Sequence, residues 1–193
     1  MDAVLTIIKP IFAAHDARPE EADASLIERC QAGERTSFGI LLNRYRDRII
    51  NLAYQLLHDR DDAEDVAQEV FTKAFTSIGS FRAEAQLFTW LYRITLNLCL
   101  HRKRREKRCE SYEEQIVPGA SDANEDQIVT NIVVQQALDK LSPPLQAVLI
   151  LREMHDLSYE EIAIVLNIPV GTVRSRLSEA RRKFKELWEA LEQ

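Results

Sequence analysis

The sequence predicts an all-α protein built as two small helical domains joined by a flexible linker. Three observations point there. Only five of the 193 residues are glycine, and Leu, Ile, Ala, Glu and Arg fill long stretches without the alternation of a strand. Apolar residues recur at three- and four-residue steps over most of the chain, which is the spacing of a helix face. That periodicity fails from Cys109 to Asn124, where Pro118, Gly119, Ser121, Asp122 and Asn124 mark a break. The expected organisation is an N-terminal extension over 1–23, a first domain over 24–108, an acidic linker over 109–124 and a second domain over 125–193.

Taken in order, Val4 to Phe12 is apolar but interrupted by Pro10. It falls far short of the roughly 20 residues that span a membrane. It also lacks the basic start and small-residue cleavage site of a secretory signal. The expected location is the cytoplasm, with no membrane contact of the chain's own. Ser25 and Glu28 have capping-box spacing and predict a helix start. Gly33 interrupts that helix. Phe38, Leu41, Leu42, Tyr45, Ile49, Leu52, Ala53 and Leu56 then form one helical face. After a polar turn over His58 to Asp61, a helix to Ser77 buries Val66, Ala67, Val70, Phe71, Ala74, Phe75 and Ile78. Asp65, Gln68 and Glu69 share its exposed face. An aromatic loop from Phe81 to Phe88 leads into a helix from about Gln86 to Arg105. Its core stripe is Leu87, Leu91, Ile94 and Leu98, with Trp90, Arg93 and Asn97 together on another side.

The second domain opens on a helix carrying Ile128, Ile132, Val133, Leu138 and Leu141. Ser142 and Pro143 read as N-cap and N1 of the next, whose core is Leu145, Val148, Leu149, Leu151 and Met154. Ser158 and Glu161 form a second capping box, opening a short helix over 159–166. A turn over 167–171 precedes a long helix from Thr172 to about Leu191, completing a helix-turn-helix pattern. Val173, Leu177, Ala180, Phe184 and Leu187 are its packing side.

The net charge of −6 argues on average against nucleic acid, but the charge is segregated. Residues 102–108 are nearly all basic, 110–128 hold no Lys or Arg, and 174–185 are basic again. Such asymmetry suggests phosphate contact at the basic places and protein contact at the acidic ones. The three cysteines, Cys30, Cys99 and Cys109, are widely spaced, so neither a disulfide framework nor a zinc site is expected. His15, His58 and His155 stand alone, and no cofactor or metal is predicted. Cys109 beside the basic run leaves a redox role conceivable.

Two stretches carry recognition chemistry. A recognition helix reads base edges with its first turns, Arg gripping guanine and Ser reading less strictly. Thr172, Arg174, Ser175, Ser178, Glu179, Arg181 and Arg182 lie on the exposed side or flank of the long helix. In the first domain Phe81, Arg82, Phe88, Trp90, Tyr92 and Arg93 are the rings and cations that hold an unpaired strand. Composition leaves stacking and core roles open for these rings. Phe88 or Tyr92, and one face of Trp90, are expected in the core.

These residues carry a family resemblance. Asp-Ala-Glu-Asp-Val-Ala-Gln-Glu-Val-Phe (62–71), Ser-Phe-Arg (80–82) and Phe-Thr-Trp-Leu-Tyr-Arg-Ile (88–94) with Asn97 resemble region 2 of bacterial extracytoplasmic-function sigma factors, members of the sigma-70 family. Leu-Ser-Tyr-Glu-Glu-Ile-Ala (157–163) and Ile-Pro-Val-Gly-Thr-Val-Arg-Ser-Arg-Leu (168–177) resemble their region 4. The likeness covers about residues 25–190. It implies a non-enzymatic factor that gives core RNA polymerase promoter recognition and melting. Asp65, Gln68 and Glu69 match the positions that dock on the β′ coiled coil. Phe81, Arg82, Phe88, Trp90, Arg93 and Asn97 would capture a base of the opened −10 strand, and Arg102, Arg104 and Arg105 would hold phosphates upstream. The helix from Thr172 would enter the −35 major groove, with its flank on the β flap. The acidic linker would follow the polymerase's RNA path, and an anti-sigma factor is the implied regulator. The residues alone also allow a stand-alone helix-turn-helix regulator, or a metal-dependent nuclease using Asp61, Asp62, Asp65 and Glu69. The nuclease lacks an evident general base, and helical acidic clusters are usually solvated faces.

Overall fold

The computed structural model describes residues 20–82, 86–109 and 125–191, which fall into two compact units, 20–109 and 125–191. Among the described residues every regular element is helical. Residues 83–85 of the aromatic loop, the linker residues 110–124 and His15 lie outside them, as do the side chains of residues 106–109 and Ile128.

The first unit holds α1 (Glu20–Gln31), α2 (Arg35–Leu57), α3 (Arg60–Ser77), a 3-10 turn (Ile78–Ser80) and α4 (Leu87–Cys109). Helix α1 runs through Ser25, so the capping box expected there is not formed. Buried Asp23 accepts hydrogen bonds from Tyr45 Oη and the Arg44 guanidinium, fastening α1 to α2. The folded bundle thus takes in residues that the sequence assigned to the extension. Helix α1 ends on Gly33 at φ 93°, a left-handed conformation that suits a residue without Cβ. Glu34 N donates to Arg29 O (3.0 Å), and the Arg29 guanidinium donates to Glu34 at 2.6 and 2.8 Å across the turn. These contacts hold the Glu34 carboxyl at about 2, below the usual range.

Helix α2 buries Leu41, Tyr45, Ile49, Leu52, Ala53 and Leu56 as expected, while Phe38 and Leu42 are half-buried. His58, left-handed at φ 64°, ends it. Asp59 caps α3 by accepting from Asp62 N at 2.8 Å. Helix α3 buries all of its expected stripe except Phe75, which is 44% exposed. Phe71, Ala74 and Ile78 continue the inward face, and Phe75 lies on its flank, covered on one side by an edge-on contact with Phe38 (5.1 Å).

Helix α4 packs on both α2 and α3, so its buried face is wider than one stripe. Leu87, Phe88, Leu91, Tyr92, Thr95, Leu96 and Cys99 are buried, whereas Ile94 and Leu98 are only half-buried. This corrects the stripe read from the sequence. Thr95 sits in the core because its hydroxyl donates to Leu91 O (2.9 Å) in its own helix, satisfying the polar group.

The second unit holds α5 (Glu125–Asp139), α6 (Pro143–Glu153), α7 (Tyr159–Leu166) and α8 (Val170–Leu191). Helix α5 packs through Val134, Ala137 and Leu138, followed by Leu141, while Ile132 is exposed and Val133 half-buried, a second rotated stripe. Ser142 occupies the N-cap of α6 with Pro143 at N1, but its side chain makes no capping bond; its carbonyl takes Leu145 N and Gln146 N instead. The Ser158–Glu161 capping box is complete, with Ser158 N donating to Glu161 Oε2 (2.6 Å) and Glu161 N to Ser158 Oγ (3.2 Å). Asn167 at φ 53° ends α7. Helix α8 packs through Val173, Leu177, Ala180, Phe184 and Trp188. Trp188 takes the place expected for Leu187, which is half-buried, because four-residue steps from Phe184 stay on the face.

Candidate nucleic-acid interface

Three surfaces can be built from these elements. On α3, Asp65, Gln68 and Glu69 are all exposed, as three- and four-residue spacing requires. Glu69 pairs with Lys73 one turn on (2.8 Å), an exposed contact of small energetic weight. Asp65 meets Arg102 Nη2 of α4 at 3.5 Å.

The second surface begins at the aromatic loop. Phe81 and Trp90 are half-buried, and their rings touch at a centroid distance of 5.1 Å and a 47° tilt. Each ring keeps part of its surface in solvent. Phe88 differs. It is 4% exposed and packs edge-on to buried Tyr92 at 5.9 Å. A ring enclosed in that way has no face to offer a base, so Phe88 leaves the list of strand-contacting residues. Arg82, Arg93 and Asn97 are exposed, and no partner holds them among the described residues. Arg93 and Asn97 follow Trp90 at helical spacing, so α4 presents ring, cation and carboxamide on one side. Asn97 offers donors and acceptors to a base edge.

The basic run divides. Arg104 and Arg105 are exposed. Arg102 turns back to α3, donating to Asp62 O (3.0 Å) and pairing with Asp62 Oδ1 (3.3 Å) as well as Asp65. Its place as a phosphate ligand is corrected accordingly: it is a strut between α3 and α4.

The third surface is the start of α8. Thr172 is half-buried, and Arg174, Ser175, Ser178, Glu179 and Arg182 are exposed. Arg174 has no partner among the described residues. Ser175 Oγ donates to Thr172 O (3.1 Å), Glu179 pairs with Lys183 (2.8 Å), and Arg182 pairs with Glu186 (2.7 Å). Lys183 lowers the Glu179 carboxyl below its ordinary range. Arg181 does not belong with them. Its guanidinium donates twice to Glu153 Oε1 of α6, at 2.7 and 3.0 Å, and the Glu153 side chain is fully buried. Releasing Arg181 to a base would strand that carboxylate, so it is a packing residue. Arg152 holds the turn before α7, donating to Leu157 O (2.7 Å) with its guanidinium over the Tyr159 ring (5.4 Å).

Two contributors went unread in the sequence. Gln31 Nε2 donates to Ile78 O (3.1 Å) and Phe81 O (2.9 Å), reaching across the bundle to the foot of the aromatic loop. Glu153 is the buried partner that decides the fate of Arg181. Neither carries a local signal, since both act through residues far along the chain. Among the described residues no His, Cys, Asp or Glu cluster is arranged to hold a metal, and no helix is long and apolar enough to cross a membrane.

Comparison with known proteins gives this geometry a class. The Sigma-70 region 2 family matches residues 41–109, and the Sigma-70, region 4 family matches residues 132–184. A chain with both regions in this order is a sigma factor, a non-enzymatic factor of transcription initiation. It is 34% identical over 186 residues to the RNA polymerase sigma-H factor of Pseudomonas aeruginosa, covering 89% of this chain and 96% of that protein. It is 35% identical over 177 residues to the ECF RNA polymerase sigma-E factor of Haemophilus influenzae, covering 84% and 93%. The chain belongs to the extracytoplasmic-function sigma factors. Among solved structures it is similar to the sigma factor RpoE of Bartonella quintana in complex with the anti-sigma factor NepR, with a TM-score of 0.64, 28% identity, and 79% and 96% of the two chains covered. Kinship over both regions displaces the stand-alone regulator and the nuclease.

Proposed function

We propose that this sigma factor divides promoter recognition among the three surfaces. Asp65, Gln68 and Glu69 dock on the β′ coiled coil of core RNA polymerase. Phe81, Arg82, Trp90, Arg93 and Asn97 take up an unstacked base of the opened −10 strand, with Arg104 and Arg105 on its phosphates. Flipping a base costs a few kcal/mol, which stacking and carboxamide hydrogen bonds must offset. Thr172, Arg174, Ser175, Ser178, Glu179 and Arg182 meet the −35 duplex, and the flank of α8 meets the β flap. The first reading unit would include α1 and run over about 20–109, the second would follow the expected limit of 125–193, and the acidic segment between them would lie in the RNA path. An anti-sigma factor would hold the protein inactive in the cytoplasm; the similar RpoE is in complex with the anti-sigma factor NepR.

The observation that carries this reading is the side of α4 that sets Arg93 and Asn97, exposed and without a partner among the described residues, beside a half-buried ring pair. Run-off transcription with core polymerase over a randomised promoter library tests it. The expected outcome is a −10 and a −35 consensus from the wild type, and loss of base preference at one −10 position in Asn97→Ala. Uniform loss across all promoter variants would contradict base reading by Asn97.

A further inference from the structure

We infer that Gln31, the last residue of α1, is a positioning residue for the −10 site. The inference rests on the reading just proposed. The Gln31 carboxamide nitrogen donates to two carbonyls at once, Ile78 O at 3.1 Å and Phe81 O at 2.9 Å. Those carbonyls bracket the point where the 3-10 turn becomes the loop. The Phe81 carbonyl belongs to the residue whose ring packs on Trp90. The nitrogen therefore fixes the backbone from which one wall of the ring pair is hung.

Both ends of this clamp are built. On the α1 side, Gly33 N donates to Cys30 O (3.0 Å), Ala32 N to Glu28 O (2.9 Å), and the Arg29–Glu34 pair closes the turn, so Gln31 is held at a defined helix end. On the loop side, Phe81 N donates to Ile78 O (3.1 Å) and Ser80 Oγ to Ser77 O (2.9 Å). These local bonds shape the turn but tie it only to itself. Gln31 adds hydrogen bonds from it to a helix 47 and 50 residues earlier. A carboxamide suits the task because it is neutral and its NH₂ carries two donors. A small rotation at Phe81 moves the ring against Trp90, and displacements of about an ångström are enough to disable an oriented site.

The test uses holoenzyme assembled from core polymerase and the full chain. Its templates are the promoter that the wild type selects from a randomised library and that promoter's single-base −10 variants. Gln31→Met keeps the length and removes the donors; Gln31→Glu keeps the shape and replaces the donors with charge. Both are expected to lower discrimination at the flipped −10 position about fivefold, the weight of one ordinary hydrogen bond. Affinity for core polymerase and −35 preference are expected to be unchanged. A purely structural role would reduce the active fraction and hence all templates alike, leaving the ratio between them intact; that outcome overturns the inference. Loss in Gln31→Glu but not in Gln31→Met also overturns it, because repulsion of DNA rather than the missing donors would then be the cause. Asn97→Ala is run alongside. If it changes the −10 ratio and the Gln31 variants do not, the clamp fails and the reading of the site stands. If it leaves the ratio intact, the reading itself fails.

Discussion

The two helical units hold their recognition residues over different sequence distances. In the unit that carries α8, most of the orienting contacts are local: the Ser158–Glu161 box spans three residues and the Arg152–Leu157 bond five. In the four-helix bundle the corresponding contacts join residues 21, 22, 40, 47 and 50 apart. A turn made by its own residues forms early and tolerates change elsewhere. A site assembled from distant segments exists only when the whole bundle is closed, since loop closure must come first. Reading a duplex needs one presented helix, whereas reading an opened strand needs a loop and a helix held at a fixed separation. The two constructions would suit the two tasks proposed for them.

The 28-residue pair of Arg181 and Glu153 breaks the pattern in the second unit. It supplies the largest expected effect. Arg181→Ala is expected to cost about 3–5 kcal/mol of stability, because it leaves a buried carboxylate unpaired. Chemical denaturation measures it, and a stable variant that merely loses −35 affinity would return Arg181 to the DNA surface. Asp23→Ala should cost about 1–3 kcal/mol by orphaning the Tyr45 hydroxyl. Burial first, and the Asp23 bond second, push that hydroxyl well above the ordinary tyrosine range. A group raised in the folded state contributes fully below its unfolded value near 10 and is lost as pH rises beyond it. Wild type should therefore lose stability more steeply than Tyr45→Phe between pH 9 and 11; parallel slopes would show that the Tyr45 hydroxyl is not raised in the folded state. Arg174 has no partner among the described residues, so Arg174→Ala should leave stability unchanged and cost about 1–3 kcal/mol in −35 discrimination. A footprint with its −35 preference intact would sink that assignment. The smallest effect is expected of Asp65→Ala with Glu69→Ala: about 1 kcal/mol of core-polymerase affinity per charge, with the fold unchanged. Titration of labelled protein with core polymerase checks it, and equal affinity removes the docking role.

What the sequence disclosed follows the same division. The short helix opened by the second capping box was legible to the residue, because its cap and left-handed Asn167 act within one turn, whereas α8 begins at Val170, two residues before the expected Thr172. The exposed acids of α3 followed from spacing alone. Periodicity misjudged Phe75, Ile94, Leu98 and Ile132, since it records which residues share a face and not how wide a face the neighbours cover. Phe88 and Trp90 are both aromatic and lie two residues apart, yet packing against Tyr92 encloses one and leaves the other partly open. Arg102 and Arg181 looked like their neighbours until Asp62 and Glu153 came within reach. Gln31 could not be found, because its partners are backbone atoms on a segment that only the fold brings near.

The strut made by Arg102 bears on how ionic strength governs this protein's hold on DNA. Each cation that neutralises a phosphate displaces a condensed counter-ion, and binding weakens with salt by about 0.9 of a logarithmic unit per such cation on duplex and about 0.7 on a single strand. Arg102 shares its charge with two carboxylates of α3, and Arg181 gives its charge to Glu153. Neither is therefore available to displace a counter-ion from a phosphate. The salt dependence of promoter binding should thus be shallower than the arginines of α4 and α8 suggest, by the contribution of those two residues.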